Sequence, residues 1–252
     1  MGLSLFALAA ISVSTLVTSF VSGILGMTGG MMLMGVLLAL LPLSAAMMLH
    51  GVSQLASNGW RALMLRGAID RRVFLGYLAG ALLAMGLFAL TRFVASKPVA
   101  LIAMGLTPFV ALALPERLHL NVERPWQPFL CGVVCLGLSL TAGIAGPILD
   151  VFFVRSGMNR HRVVATKAAT QSLSHLLKIL YFGGVLATTA GGSAELEPWL
   201  MPAMIGLAFL GTTLSRQVLE RISDATFRAW TRWTVMTLGL AYLGSGLKLV
   251  LV

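Results

Sequence analysis

The stretch HGVSQLASNGWR, residues 50–61, lies inside a long apolar segment and decides how the chain is read. His50, Gln54 and Asn58 recur every four residues and Arg61 follows three later, so on an α-helix all four share one face. The same spacing returns 117 residues on, in KAATQSLSHLLK, as Lys167, Gln171, His175 and Lys178. Polar side chains are costly in lipid and turn toward a bundle interior or a wet cavity. Two such stripes in matched positions predict two halves of one site.

Composition sets the solvent. Of 252 residues, 58% are hydrophobic and 10% charged, where a soluble domain carries about 25% charged residues; the mean hydropathy is +0.93. Apolar runs of about 20 residues recur throughout, enough to cross a bilayer as helices, and they lack the alternation of a membrane β-barrel. The fold class expected is an all-α polytopic membrane protein. The net charge of +10 lies mainly between apolar segments, where it sets orientation, and no basic cluster argues for nucleic acid. The start MGLSLFALAAISVSTLV has no basic n-region and reads as mature sequence. Cys131 and Cys135, one turn apart in an apolar run, read as packing residues. No metal cluster, nucleotide-binding loop or nucleophile–base–acid set is present, so neither an enzyme nor a cofactor is expected.

Along the chain, GMTGG at 26–30 interrupts an uncharged run over 3–41, predicting two helical pieces around an unwound turn. The striped helix is expected over about 44–65, then helices over about 73–91 and 98–114. The stretch PERLHLNVERPWQP, 115–128, is the most polar in the chain and reads as a connector. The second half repeats the order: a run over 129–154 broken by GIAGP at 143–147, a striped helix over about 163–182, and helices over about 198–215 and 229–250. At the constant offset Ser22 meets Ser139, Gly26 meets Gly143, Gly29 meets Gly146, Gln54 meets Gln171, Ser57 meets Ser174 and Gly67 meets Gly184. Interrupted helices in corresponding positions of two halves are a transporter pattern and point to the binding site. The organisation is therefore an N-terminal repeat 1–114, the connector 115–128 and a C-terminal repeat 129–252, within one membrane domain.

Charge gives the topology. If each broken segment enters and returns to the same side, Arg66, Arg71, Arg72, Arg117, Arg124, Arg155, Arg160, Arg162, Arg216, Arg221 and Arg228 share one side, opposite Arg92, Lys97 and Lys248. That asymmetry satisfies the positive-inside rule; single crossings of the broken segments do not. The expectation is two inverted halves, with six full spans and two broken hairpins, and both termini outside.

Broken GMTGG, the striped helix and the closing RGAID, repeated in degraded form, resemble the sulfite exporter TauE/SafE (TSUP) family over nearly the whole chain. The glycine turn departs from that family's usual form, with Thr28 in place of one glycine and Gly35 where a proline is expected. The resemblance implies a bacterial inner-membrane carrier of sulfite, organosulfonates or related sulfur-containing or organic anions, with export and proton coupling as expectations. An anion channel is the alternative. The partners are the small anion and the bilayer, with a homodimer left open.

A small anion entering the membrane loses its water and needs donors instead. Lys167 offers a charge; Gln54, Gln171, Asn58 and Ser57 offer hydrogen bonds; and the helical pieces after Gly29, Gly30 and Gly146 offer free N–H groups. His50 and His175 either join this site or bond across helices. Asp150, the only acid in an apolar segment, either pairs with Lys167 or carries a coupling proton, a role also open to His175. Arg61 and Lys178 lie near helix ends and are expected to snorkel to the headgroups. The Met-rich run 31–34 is expected to pack.

Overall fold

The computed structural model describes residues 3–115, 118, 120–185, 199–219 and 224–251. Among the described residues there are ten α-helices and no strand. In chain order they are α1 (Leu5–Leu25), α2 (Thr28–Leu40), α3 (Leu43–Met64), α4 (Arg71–Thr91), α5 (Lys97–Ala113), α6 (Gln127–Thr141), α7 (Gly146–Phe153), α8 (Arg160–Leu180), α9 (Leu200–Leu219) and α10 (Asp224–Leu251). A single π-turn, Tyr181–Val185, extends α8. The stretch 186–198 and residues 119 and 220–223 lie outside the described residues, so the loop GGSAELEP, which has no Lys or Arg, falls there.

Local chemistry sets several starts. Ser4 accepts the Ala7 N–H at α1, Asp70 the Val73 N–H at α4 and Asn159 the Arg162 N–H at α8, each as an N-cap. Pro42 precedes α3, where its fixed φ and missing N–H cost nothing. Three stretches, Leu5–Ile24, Arg71–Thr91 and Ala229–Leu251, are long and apolar enough to cross a bilayer unaided. The striped helices α3 and α8 match them in length but bury His50, Gln54, Asn58, His175 and Lys178 of their stripes.

Polarity is inverted relative to a soluble protein. His50, Gln54, Ser57, Asn58, Thr170, His175 and Lys178 are buried, while Leu83, Leu87 and Leu90 of α4 are exposed, Leu90 at 83%. A lipid solvent accepts that arrangement and water does not. Met31 and Met34 are buried in the core, as expected of packing residues.

The strongest helix pairs are α1 with α9, α6 with α4, α5 with α10, and α3 with α8. Exchanging the two halves turns the first pair into the second and leaves the last two unchanged. Small residues permit the close contacts that drive association in lipid: a Cβ on Gly80 would strike the Phe129 carbonyl, and one on Gly132 the Tyr77 carbonyl.

The two breaks share one backbone device. Gly26 has φ 65° and Gly143 has φ 81°, and they are the positive-φ glycines among the described residues. A residue with a side chain would pay about 1–3 kcal/mol for such a conformation. After the first break α2 folds back along α1, so that Gly29 abuts Thr18 and Ser22. The second broken segment ends at the level where it began: the Val122 N–H donates to the Phe152 carbonyl at 3.0 Å and Asn121 Nδ2 to the Arg155 carbonyl at 2.9 Å.

Candidate functional site

Helices α3 and α8 cross antiparallel at the centre of the molecule. His50 meets Lys178, Gly59 faces Ser172, and just beyond α3 Asp70 meets Arg162, so numbers rise on one side as they fall on the other. This register brings the start of one stripe level with the end of the other.

Lys178 is fully buried. Its Nζ donates to His50 Nδ1 at 2.7 Å and to the Gly143 carbonyl at 2.9 Å. As an ammonium Lys178 can only donate, so Nδ1 must accept and the His50 proton sits on Nε2. Nε2 then donates to the Gly30 carbonyl at 2.9 Å. One chain of hydrogen bonds thus ties the second break at Gly143 to the first at Gly30. The third N–H of Lys178 has no protein acceptor among its recorded bonds, and among the described residues Lys178 pairs with no carboxylate. Lys178 therefore does not snorkel to the headgroups. It reaches back to the carbonyl just past α6, where the helix dipole favours a cation. Arg61 behaves alike in the first half: Nη2 reaches the Ser22 carbonyl in the last turn of α1, and Nη1 the Asn58 Oδ1, both at 3.4 Å.

Unpaired donors and acceptors gather around this chain. Gln54 Nε2, His175 Nδ1, Ser53 Oγ and Ser139 Oγ are buried without a protein partner, and buried polar groups are otherwise almost always bonded. Gln54 packs against Gly30, where an added Cβ would lie 3.1 Å from its Oε1. The His175 and His50 rings meet edge to face with centroids 5.5 Å apart. His175, Gln171, Ser139, Gly146, Cys135, Tyr77 and Ser174 line a cavity of about 20 Å³, room for about one water. The breaks themselves touch, with Met27 against Gly146 and Met34 against Gly143.

The remaining candidates are placed as follows. Lys167 forms an ion pair with Asp150, with side chains 23% and 40% exposed. Lys178, not Lys167, is thus the more buried cation. Asn58 donates through Nδ2 to the Gln54 carbonyl at 3.0 Å. Ser57 bonds Thr212 at 2.7 Å and ties α3 to α9; its repeat mate Ser174 bonds Tyr77 at 2.7 Å and ties α8 to α4. Gly29 and Gly146 are spent on close packing.

At the end of the molecule where α3 leaves and α8 begins, a cleft of about 530 Å³ is lined by Gly67, Asp70, Arg71, Asn159, His161 and Arg162. Arg162 pairs with Asp70 at 2.5 Å, and the Asp70 N–H donates to Thr166 Oγ1 at 2.9 Å. Burial pushes the Asp70 carboxyl up, but the Val73 N–H and Arg162 outweigh it and hold its pKa below the usual carboxylate value.

The stripe spacing singled out His50, Gln54, Gln171 and His175; the structure buries His50, Gln54 and His175, and Gln171 lines a cavity with His175. It assigned Lys178 to the headgroups because the residue lies a turn from its helix end. Antiparallel crossing of the two stripes, which the repeat already suggested, would have set Lys178 beside His50. Ser139 is marked only by its repeat match to Ser22, and Tyr77 carries no signal of its own in the apolar middle of α4. The family model described as sulfite exporter TauE/SafE matches residues 11–242. Comparison with curated proteins and with solved structures returns no match.

Proposed function

The chain belongs to the sulfite exporter TauE/SafE family, and from that premise we propose that it is a secondary carrier which exports a small sulfur-containing or organic monoanion across the bacterial inner membrane. The observation that carries this reading is Lys178: a buried cation held between the two breaks by His50 and Gly143, with no carboxylate partner among the described residues. A buried charge without a counter-ion is expensive, and an anion docking beside it offsets that cost. Gln54, Gln171, His175 and Ser139 supply neutral donors around the same point. One uncompensated charge among neutral groups suits a monoanion better than a dianion.

Two inverted repeats, 1–114 and 129–252, provide the alternating access. The matched positive-φ glycines, the antiparallel α3 and α8 and the exchangeable helix pairs support that arrangement. The cavity beside His175 and Gln171 supports a carrier over an open channel, because it has room for about one water. The coupling proton is assigned to Asp150 or to His175, whose Nδ1 is buried without a protein partner. Counterflow in proteoliposomes tests the proposal: uptake of radiolabelled sulfite should accelerate when unlabelled sulfite is preloaded inside. Uptake indifferent to internal sulfite would reject a carrier.

A further inference from the structure

We propose that the path holds a second anion station, built by Arg61 and Lys167, which Asp150 occupies as an internal counter-anion until a substrate displaces it. The inference rests on the anion-carrier reading above and adds a second seat to it.

The register of α3 and α8 is the first ground. Since His50 lies level with Lys178, Arg61 lies level with Lys167, eleven residues along each helix. At 1.5 Å per residue the two levels are about 16 Å apart, with Gln54 and Gln171 between them. The second ground is charge. Arg61 and Lys167 bring two cations to this level; Asp150 pairs with Lys167, and the recorded contacts of Arg61 are to Asn58 and the Ser22 carbonyl, with no carboxylate among the described residues. The third is commitment of donors. Arg61 has five N–H groups, and its two recorded contacts are both long, at 3.4 Å. Spare donors therefore remain for an oxyanion, which a guanidinium holds through two parallel bonds.

Exposure makes the exchange feasible. A sealed ion pair does not trade partners, because removing one partner strands the other charge. Here Lys167 is 23% and Asp150 40% exposed, so the pair is not sealed. Asp150 also sits on α7, an eight-residue helix that follows the Gly143 turn. The station lies toward the end of the molecule that carries the Asp70–Arg162 pair, and the Lys178 seat lies farther from it. An anion crossing the protein would thus pass between two positive levels, with glutamine donors on the way.

Equilibrium binding of sulfite to purified protein in nanodiscs, with the stoichiometry counted, tests this. Wild type should give a tight phase of one sulfite per chain and a second, weaker phase, because the second anion competes with Asp150. Asp150→Asn should tighten the weak phase at least tenfold and bring total occupancy to two. Arg61→Gln should abolish the weak phase and keep the tight one; Lys178→Gln should do the reverse. Should Asp150→Asn fail to fold, the wild type against Arg61→Gln decides alone. A single phase in wild type that Arg61→Gln leaves unchanged overturns the second station and leaves the carrier reading standing. No sulfite binding by any form, wild type included, overturns the anion reading itself.

Discussion

Replacing Lys178 with glutamine separates recognition from packing. A monoanion about 4 Å from an ammonium gains about 4 kcal/mol at an effective dielectric constant of about 20. Glutamine keeps a donor and returns about 1 kcal/mol as a neutral hydrogen bond. The net loss of about 3 kcal/mol corresponds to a dissociation constant raised roughly 100-fold. Stability should move the other way or stay level, because the substitution removes a buried cation that has no carboxylate partner among the described residues. The glutamine amide can still bond His50 Nδ1 or the Gly143 carbonyl. Sulfite binding by calorimetry, paired with thermal unfolding of the same sample, reads both quantities. Unchanged affinity in a folded Lys178→Gln protein would refute the role of Lys178. A fall in stability as large as the fall in binding would refute the separation.

Further outcomes follow from particular contacts. Ser57→Ala should leave sulfite affinity within about twofold and cost about 1 kcal/mol of stability, since its hydroxyl is spent on Thr212; a binding assay and a melt check it. Gly132→Val should block assembly, because its side chain would enter the Tyr77 carbonyl on α4; monodispersity on size-exclusion chromatography reports it. Asp70 has a depressed folded pKa, so its contribution is present above the unfolded carboxylate value and is lost as pH falls through the folded one. With Arg162 about half exposed, that contribution is roughly 1 kcal/mol or less. The melting difference between wild type and Asp70→Asn should thus be present at pH 7 and shrink below about pH 4; a difference that grows on acidification contradicts the assignment. Single cysteines at 66–69 and at 156–158, in a background free of Cys131 and Cys135, should be labelled from the same side of the membrane, because Asp70 and Arg162 join those loops.

Much of the helical plan was legible from residue spacing because apolar length and glycine breaks are local signals. Pro42, the turn at Gly26 and the turn at Gly143 punctuate the helices within a few residues of where the pattern places them. Periodicity also picks out the inward face of α3 and α8. Partners are a different matter, since they depend on which helix crosses which and at what level. The bond from Ser57 to Thr212 of α9 could not be read from spacing, and Lys178 looked like an interface anchor until α3 crossed α8. The paired Lys167 and Asp150 lie seventeen residues apart on different helices, so their ion pair depends on how the second break turns α7.

The two stripes occupy matched positions but carry unlike residues: His50 answers Lys167, Asn58 answers His175, and Arg61 answers Lys178. A carrier with identical stripes would present the same seat to both compartments. In the carrier proposed above, the form open to one side and the form open to the other would expose different cations, so their half-saturating concentrations should differ. Microscopic reversibility then constrains the rates. A tighter inward-open form must be matched by slower reorientation or a smaller resting population, with the product around the cycle fixed by the ion and substrate gradients alone. The unlike residues can thus make the carrier kinetically rectifying, fast in one direction at cellular concentrations, while the gradients alone decide which way net flux runs.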